Sequence, residues 1–208
     1  MIILIMNNYQ SEYINYISNF AINNKIHIWL GGSHLYDNAS LYSDVDIIVF
    51  SEYSNIRNLI YDYDEPLYIS YTTNPYGILI VIYKNGVAVD LEIIKEIDVS
   101  YPEYFHKENI KNLNYIRDTQ LCKALVLSDD KQYNMSRLFH RSLIKYLSGK
   151  KEIGISIFNE ILSFMGYKTI TDSQEYNLYF LDVLNDFKSK YNMQLDYYNL
   201  LCELADNL

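Results

Sequence analysis

The chain has 208 residues, enough for one sizeable core or for a medium domain carrying a helical appendage. Half of it is hydrophobic and 21% is charged, which excludes a disordered chain, and 3 Pro with 7 Gly advertise no flexible linker. The formal charge of −9 comes without any basic stripe, so a polyanion is repelled; nucleic acid is a poor partner and a cationic small molecule a better one.

The opening Met1 to Met6 is apolar but lacks a basic leader, and Asn7-Asn8 follows at once. It reads as neither a signal peptide nor a membrane span, and a cytoplasmic protein is expected. Cys122 and Cys202 are too few and too far apart for a disulfide framework or a zinc site. The 23 tyrosines are read as fillers of amphipathic positions.

Helical spacing of Tyr13, Ile14, Ile17, Phe20 and Ala21 predicts a helix over Tyr9 to Asn24. Ile26 to Leu30 is a short buried strand, broken by Gly31-Gly32-Ser33. His27 and Trp29 alternate in it and read as sheet-face residues. Val45 to Phe50 is a second strand. Ser51 is expected to cap a helix from about Tyr53 to Tyr61, and Pro66 to Tyr71 is a third strand. Ile78 to Tyr83 and Val87 to Ile94 flank Lys84-Asn85-Gly86, a hairpin signal of the type I′ kind. Glu103 and His106 lie in an irregular stretch after Pro102, with no role assigned. Cys122 to Leu127 reads as one more strand. From Tyr133 onward only helices are predicted, at about 134–148, 153–165, 173–190 and 193–206. The expected fold class is therefore α+β: a mixed sheet with flanking helices over residues 1–130, then a helical bundle over 131–208. A cleft between two such lobes would be a natural ligand site.

Chemistry concentrates in Gly31-Gly32-Ser33 and Ser43-Asp44-Val45-Asp46-Ile47-Ile48-Val49-Phe50. Residues two apart on a strand point to one side, so Asp44 and Asp46 share a face. Two such carboxylates repel, and a divalent cation removes the repulsion; Mg²⁺ takes one or two carboxylates, waters and substrate phosphates. Asp90 is a charge within the apolar run Val87-Ala88-Val89-Asp90-Leu91-Glu92-Ile93 and needs a partner. A strand carrying it beside the Asp44–Asp46 strand would complete a three-carboxylate site, with Glu92 facing the same way. A strand that ends in glycines and opens a helix leaves backbone N–H groups outward, and these, with the Ser33 hydroxyl, suit phosphate oxygens.

Gly32-Ser33, ten residues, Asp44-x-Asp46 and a later-strand Asp90 resemble the signature of the nucleotidyltransferase superfamily, which includes DNA polymerase β, the CCA-adding enzymes and the antibiotic adenylyltransferases. The likeness covers roughly residues 26–94. Tyr83 to Leu91 and Leu125 to Asp130 are similar to the antibiotic adenylyltransferases, including the streptomycin-modifying type. The resemblance implies a small αβ catalytic core, a helical acceptor-binding lobe, and two Mg²⁺ ions acting on a nucleoside triphosphate. Gly32 and Ser33 would hold the triphosphate, and Asp44, Asp46 and Asp90 the metal. Asp90 or Glu92 would take the acceptor proton, with the nucleotide moving to a hydroxyl of a small, cationic, aminoglycoside-like acceptor. Arg137 and Arg141, with His140 and Lys145, form a basic row on one predicted helix, either a phosphate-binding row or a solvated face. Lys123 has the same two readings, and Tyr36 and Tyr42 bracket the loop before Asp44 and could stack on a base. Two other readings stay open: a protein- or RNA-modifying transferase of the toxin–antitoxin type, and a nucleotide-binding module without turnover.

Overall fold

The computed structural model describes residues 2–36, 38–72, 77–97 and 115–208. It is an α+β structure that divides into two compact units, Met1–Leu127 and Ser128–Leu208.

The first unit begins with α1 (Ile2–Asn24), which carries the predicted amphipathic stretch and extends it toward the start of the chain. Lys25 follows with a left-handed φ of 55°, and the Ile26 N–H reaches back to the Ala21 carbonyl at 3.1 Å, closing the helix. Then come β1 (His27–Leu30), a single turn α2 (Gly32–Leu35), β2 (Val45–Phe50), α3 (Tyr53–Tyr61), β3 (Pro66–Thr72), β4 (Ile78–Tyr83), β5 (Ala88–Ile97), β6 (Tyr115–Arg117) and α4 (Thr119–Leu125). The strands form one mixed sheet in the order β1-β2-β5-β4-β3, with β6 also pairing β5. Every pairing is antiparallel except β2 with β5, which run parallel with Asp46 opposite Asp90.

One face of the sheet carries the main core. Ile28, Leu30, Val45, Ile47, Val49, Val89, Leu91 and Ile93 are buried there with residues of α1, α3 and α4. Strands buried on this face alternate with a second face that bears His27, Trp29, Asp46, Ile48, Asp90, Glu92 and Ile94. Four tyrosines serve the core: Tyr13, Tyr16, Tyr63 and Tyr83 pack with ring centroids 4.8–5.9 Å apart. The Tyr83 and Tyr16 hydroxyls donate to the Ile60 and Leu59 carbonyls, which satisfies the polar tips of these two rings, whereas the buried Tyr13 hydroxyl has no hydrogen-bond partner among the described residues.

Three local expectations fail for physical reasons. The 122–127 stretch is not a strand: its buried residues, Cys122 and Leu125, are three apart, Lys123 and Ala124 between them are exposed, and Asp118 caps the helix by accepting from the Leu121 N–H. Ser51 does not cap α3; its hydroxyl accepts from the Asn55 side chain instead. The β4–β5 hairpin turns through three residues, with Gly86 alone at positive φ, Gly86 N–H bonded to Tyr83 and Tyr83 N–H to Val87. That is a type I turn closed by a glycine bulge rather than a type I′ turn. The stretch holding Glu103 and His106 lies outside the described residues.

The second unit is a bundle of α5 (Lys131–Leu147), α6 (Lys151–Met165), α7 (Ser173–Tyr191) and α8 (Leu195–Ala205). Its core is aromatic: Phe139 meets Phe158, Phe180 and Phe187 at 5.1–6.4 Å, and Tyr146 stacks on Tyr176 at 4.1 Å. α5 and α6 touch at Gly154, where an added Cβ would lie 2.8 Å from Tyr146 Cβ and 2.9 Å from the Ser142 carbonyl. The buried Ser142 hydroxyl ties the contact, bridging the Gly154 carbonyl and the Tyr176 hydroxyl at 2.8 Å each. No helix among the described residues is long and apolar enough to cross a membrane.

Candidate functional site

The candidate site is built where β1 ends beside β2. The Gly31 N–H donates to the Asp46 carbonyl at 2.8 Å, continuing the β1–β2 ladder by one residue. Gly32 then turns with a φ of +57° into α2. A Cβ on Gly32 would fall 1.6 Å from Asp46 Oδ2 and 2.5 Å from its Cγ, so the space a side chain would fill is held by the Asp46 carboxylate. Glycine is required here twice, for the left-handed backbone and for the carboxylate. The missing side chain of Gly32 makes room for the Asp46 carboxylate.

Asp46 and Asp90 are register partners on adjacent parallel strands, which lie about 4.8 Å apart. Both are partly buried, as is Asp44 at the entrance to β2. Asp44 is held by the loop before it. The Gln10 side chain, 5% exposed on α1, donates to the Leu41 carbonyl at 3.1 Å and the Ser43 carbonyl at 2.7 Å. Ser43 accepts from the Ser40 N–H, and Ser40 from the Tyr42 N–H. Gln10 is not recognisable from sequence, because a lone polar residue on a helix face carries no motif. Nor is His34, on α2. Burial lowers its imidazole pKa below the ordinary value, while the Asp44 charge opposes the shift.

Glu92 does face the same way as Asp90, but it is engaged elsewhere. Its Oε2 accepts from the Tyr115 hydroxyl, from Arg117 Nε at 3.1 Å and from Arg117 Nη2 at 2.8 Å. Arg117 Nη2 also donates to the Tyr115 hydroxyl at 3.0 Å, and the guanidinium carbon lies 5.0 Å from that ring's centroid. Burial, and then Glu92, hold the Tyr115 hydroxyl protonated well past its usual range. Both β6 residues escaped the sequence reading, because three residues are too short for a periodic signal.

Among the described residues, no three His, Cys, Asp or Glu side chains converge on one point that could hold a metal. The donor set nevertheless suits Mg²⁺, which takes one or two carboxylates and fills its other positions with water and phosphate. Asp46 and Asp90 supply that number, and both donors are oxygen. Ser33 is partly exposed on α2. His27 and Trp29 stack at 5.8 Å, and Trp29 is buried with Ile48 and Ile94. Tyr36 is exposed, Tyr42 is partly buried, and Lys123 is exposed on α4. Arg137 and Arg141 lie one turn apart on α5 in the helical unit, the first partly buried and the second exposed. His140 between them is buried and so does not belong to an exposed basic row, whereas Lys145 is partly exposed.

No family model matches this chain, and no curated protein matches its sequence significantly.

Proposed function

We propose that the protein is a Mg²⁺-dependent nucleotidyltransferase with a nucleotidyltransferase-type sheet, moving a nucleoside monophosphate from a triphosphate such as ATP to a hydroxyl of a small acceptor. The observation that carries this reading is the register pairing of Asp46 with Asp90 beside a glycine whose missing side chain is the space Asp46 occupies. Two adjacent carboxylates on one sheet face cost free energy without a cation, and a backbone shaped around one of them favours a functional origin.

Asp46 and Asp90 would hold the metal; the expected third ligand, Asp44 at the entrance to β2, does not converge on one point with them among the described residues. Bound there, Mg²⁺ supplies charge neutralisation and a lowered pKa for the acceptor hydroxyl. Gly32 and Ser33, at the turn out of β1, would receive phosphate oxygens through the backbone and the Ser33 hydroxyl. Asp90 takes the hydroxyl proton as the acceptor oxygen bonds to the α-phosphorus and the bond to pyrophosphate breaks. Glu92 is assigned a positioning role instead, because its Oε2 already receives three donors from Tyr115 and Arg117. The charge of −9 favours a cationic acceptor over RNA.

The test is incubation with each labelled triphosphate, Mg²⁺ and a panel of hydroxyl compounds, read as pyrophosphate release. Asp46→Asn and Asp90→Asn should each abolish release while circular dichroism stays native. Near-normal turnover in either variant overturns the site assignment. A steering contribution predicts that the KM of a cationic acceptor rises with salt while kcat holds, over a screening length of about 8–10 Å. Labelling of tRNA or protein, with no small cation modified, would replace the acceptor class.

A further inference from the structure

The helical unit contains a groove of about 450 Å³, within the range that small-molecule sites occupy. Its floor is apolar, from Leu162 at the end of α6, Ile170 in the α6–α7 connection and Val183 on α7. Two rings, Tyr167 and Tyr179, stand at it with 42% and 43% of their surface exposed. Exposed rings lining a concavity differ from tyrosines scattered over a surface, because one ligand can cover both rings at once.

The charges in the groove are unequally committed. Glu175 is part of the α7 cap, its Oε2 accepting from the Thr171 N–H at 2.9 Å while Asp172 accepts from the Gln174 and Glu175 N–H groups. Asp186, one turn beyond Asp182, is bound by the Tyr167 hydroxyl and by Lys190 at 2.8 Å. Asp182 has no hydrogen-bond or ion-pair partner among the described residues. Lys168 is the groove's single cation, against the two carboxylates of Glu175 and Asp182. The chain from residue 151 onward holds Lys151, Lys168, Lys188 and Lys190 against nine Asp and Glu, so the surrounding field is negative. The Tyr167 ring already lies 5.5 Å from the Lys190 ammonium, showing that this wall accepts a cation over its aromatic face.

We propose that this groove binds a small organic amine with an apolar body of one or two rings, its ammonium on Asp182 and its body against Tyr179, Val183 and Ile170. The groove is lined wholly by residues of the helical unit, and the proposal does not rest on the transfer reaction.

The experiment titrates the 208-residue chain, without nucleotide or Mg²⁺, with phenethylamine and with two isosteres, 2-phenylethanol and phenylacetate. Calorimetry gives the affinity, and amide chemical shifts give the place. The amine should bind with shift changes confined to about residues 162–183, and the neutral alcohol about fivefold more weakly, the scale of one exposed charge pair. Asp182→Asn should bring the amine down to the alcohol's affinity, and Asp182→Glu should restore it. Tyr179→Ala should weaken all three ligands together. Asp182 and Tyr179 are exposed, and near-identical far-UV spectra check the fold of each variant. Tighter binding of phenylacetate, equal binding of amine and alcohol, shifts lying outside the groove, or an Asp182→Asn variant with unchanged affinity would each overturn the proposal.

Discussion

At the scale of single residues, Gly32 and Asp46 form one unit. Gly32→Ala meets two obstacles: a left-handed φ, costing about 1–2 kcal/mol, and a collision with the Asp46 carboxylate. The two can be separated. In an Asp46→Ala background the nearest atom to the new Cβ is Asp46 Cβ at 3.1 Å, so the collision is largely removed and only the backbone cost persists. Urea denaturation should therefore give a smaller loss for Gly32→Ala in that background than in the native chain, a coupling of roughly 1 kcal/mol or more. Additive losses would mean that the carboxylate moves aside freely. Gln10 invites a second substitution. Its amide donates to two carbonyls that fix the approach to Asp44, and Gln10→Glu replaces the donor with an oxygen facing both. A loss of about 2 kcal/mol is expected, the scale of buried acceptors left unsatisfied, together with impaired transfer if the proposed function holds. A Gln10→Glu protein with native stability and native turnover would show that the 38–44 loop is held by its serines alone.

At the scale of elements, what the sequence made legible depended on length and context. The Val45–Phe50 strand and both hairpin strands could be read as short apolar runs, the hairpin marked by its glycine turn, whereas the helix over Tyr53–Tyr61 forms without the Ser51 cap that suggested it. The pairing of Asp46 with Asp90 could only be posed as a condition, since a parallel neighbour is set by a crossover of three intervening elements, α3, β3 and β4. Cys122 to Leu127 looked β-like by composition, but residues at 122 and 125 meet the core from one helical face, and tertiary burial overrode propensity. The clamp on Glu92 was invisible because β6 is three residues long and lies 23–25 residues from its partner. Helix packing gives a testable case of its own. α5 and α6 approach so closely at Gly154 that a methyl group there would press on backbone and on Tyr146 Cβ, neither of which can swing away. Gly154→Ala gains helix propensity of about 1 kcal/mol yet should lose roughly 1–3 kcal/mol to overpacking. A rise in Tm would show that the two helices can part without cost.

At the scale of the whole molecule, the same tyrosines that fill the core set its limit in alkali. Burial raises the hydroxyl pKa of Tyr13, Tyr16, Tyr83 and Tyr176 above the ordinary 10.0, and raises the Cys122 thiol from 9.0 to about 11. In each case the folded chain keeps a proton that the unfolded chain releases earlier. The stability held by these groups is complete below about pH 9 and is lost as the pH climbs through 9 to 11 and beyond. Tm should fall steadily over that window, and at pH 8 a thiol reagent should modify partly exposed Cys202 well before buried Cys122. A Tm that stays level to pH 11 would contradict the burial of these groups.

The parallel pairing of β2 with β5 has a consequence in time as well as in space. Asp46 and Asp90 are 44 residues apart in the chain, and no local contact brings them together. The hairpin and α3 can form from neighbouring residues, but the carboxylate pair exists only once β5 has returned past β4 to lie against β2. Closing that long loop comes before its reward, so the acidic pair should be among the last features a refolding chain acquires. A chain emerging during synthesis would complete its hairpin before it possessed the paired carboxylates.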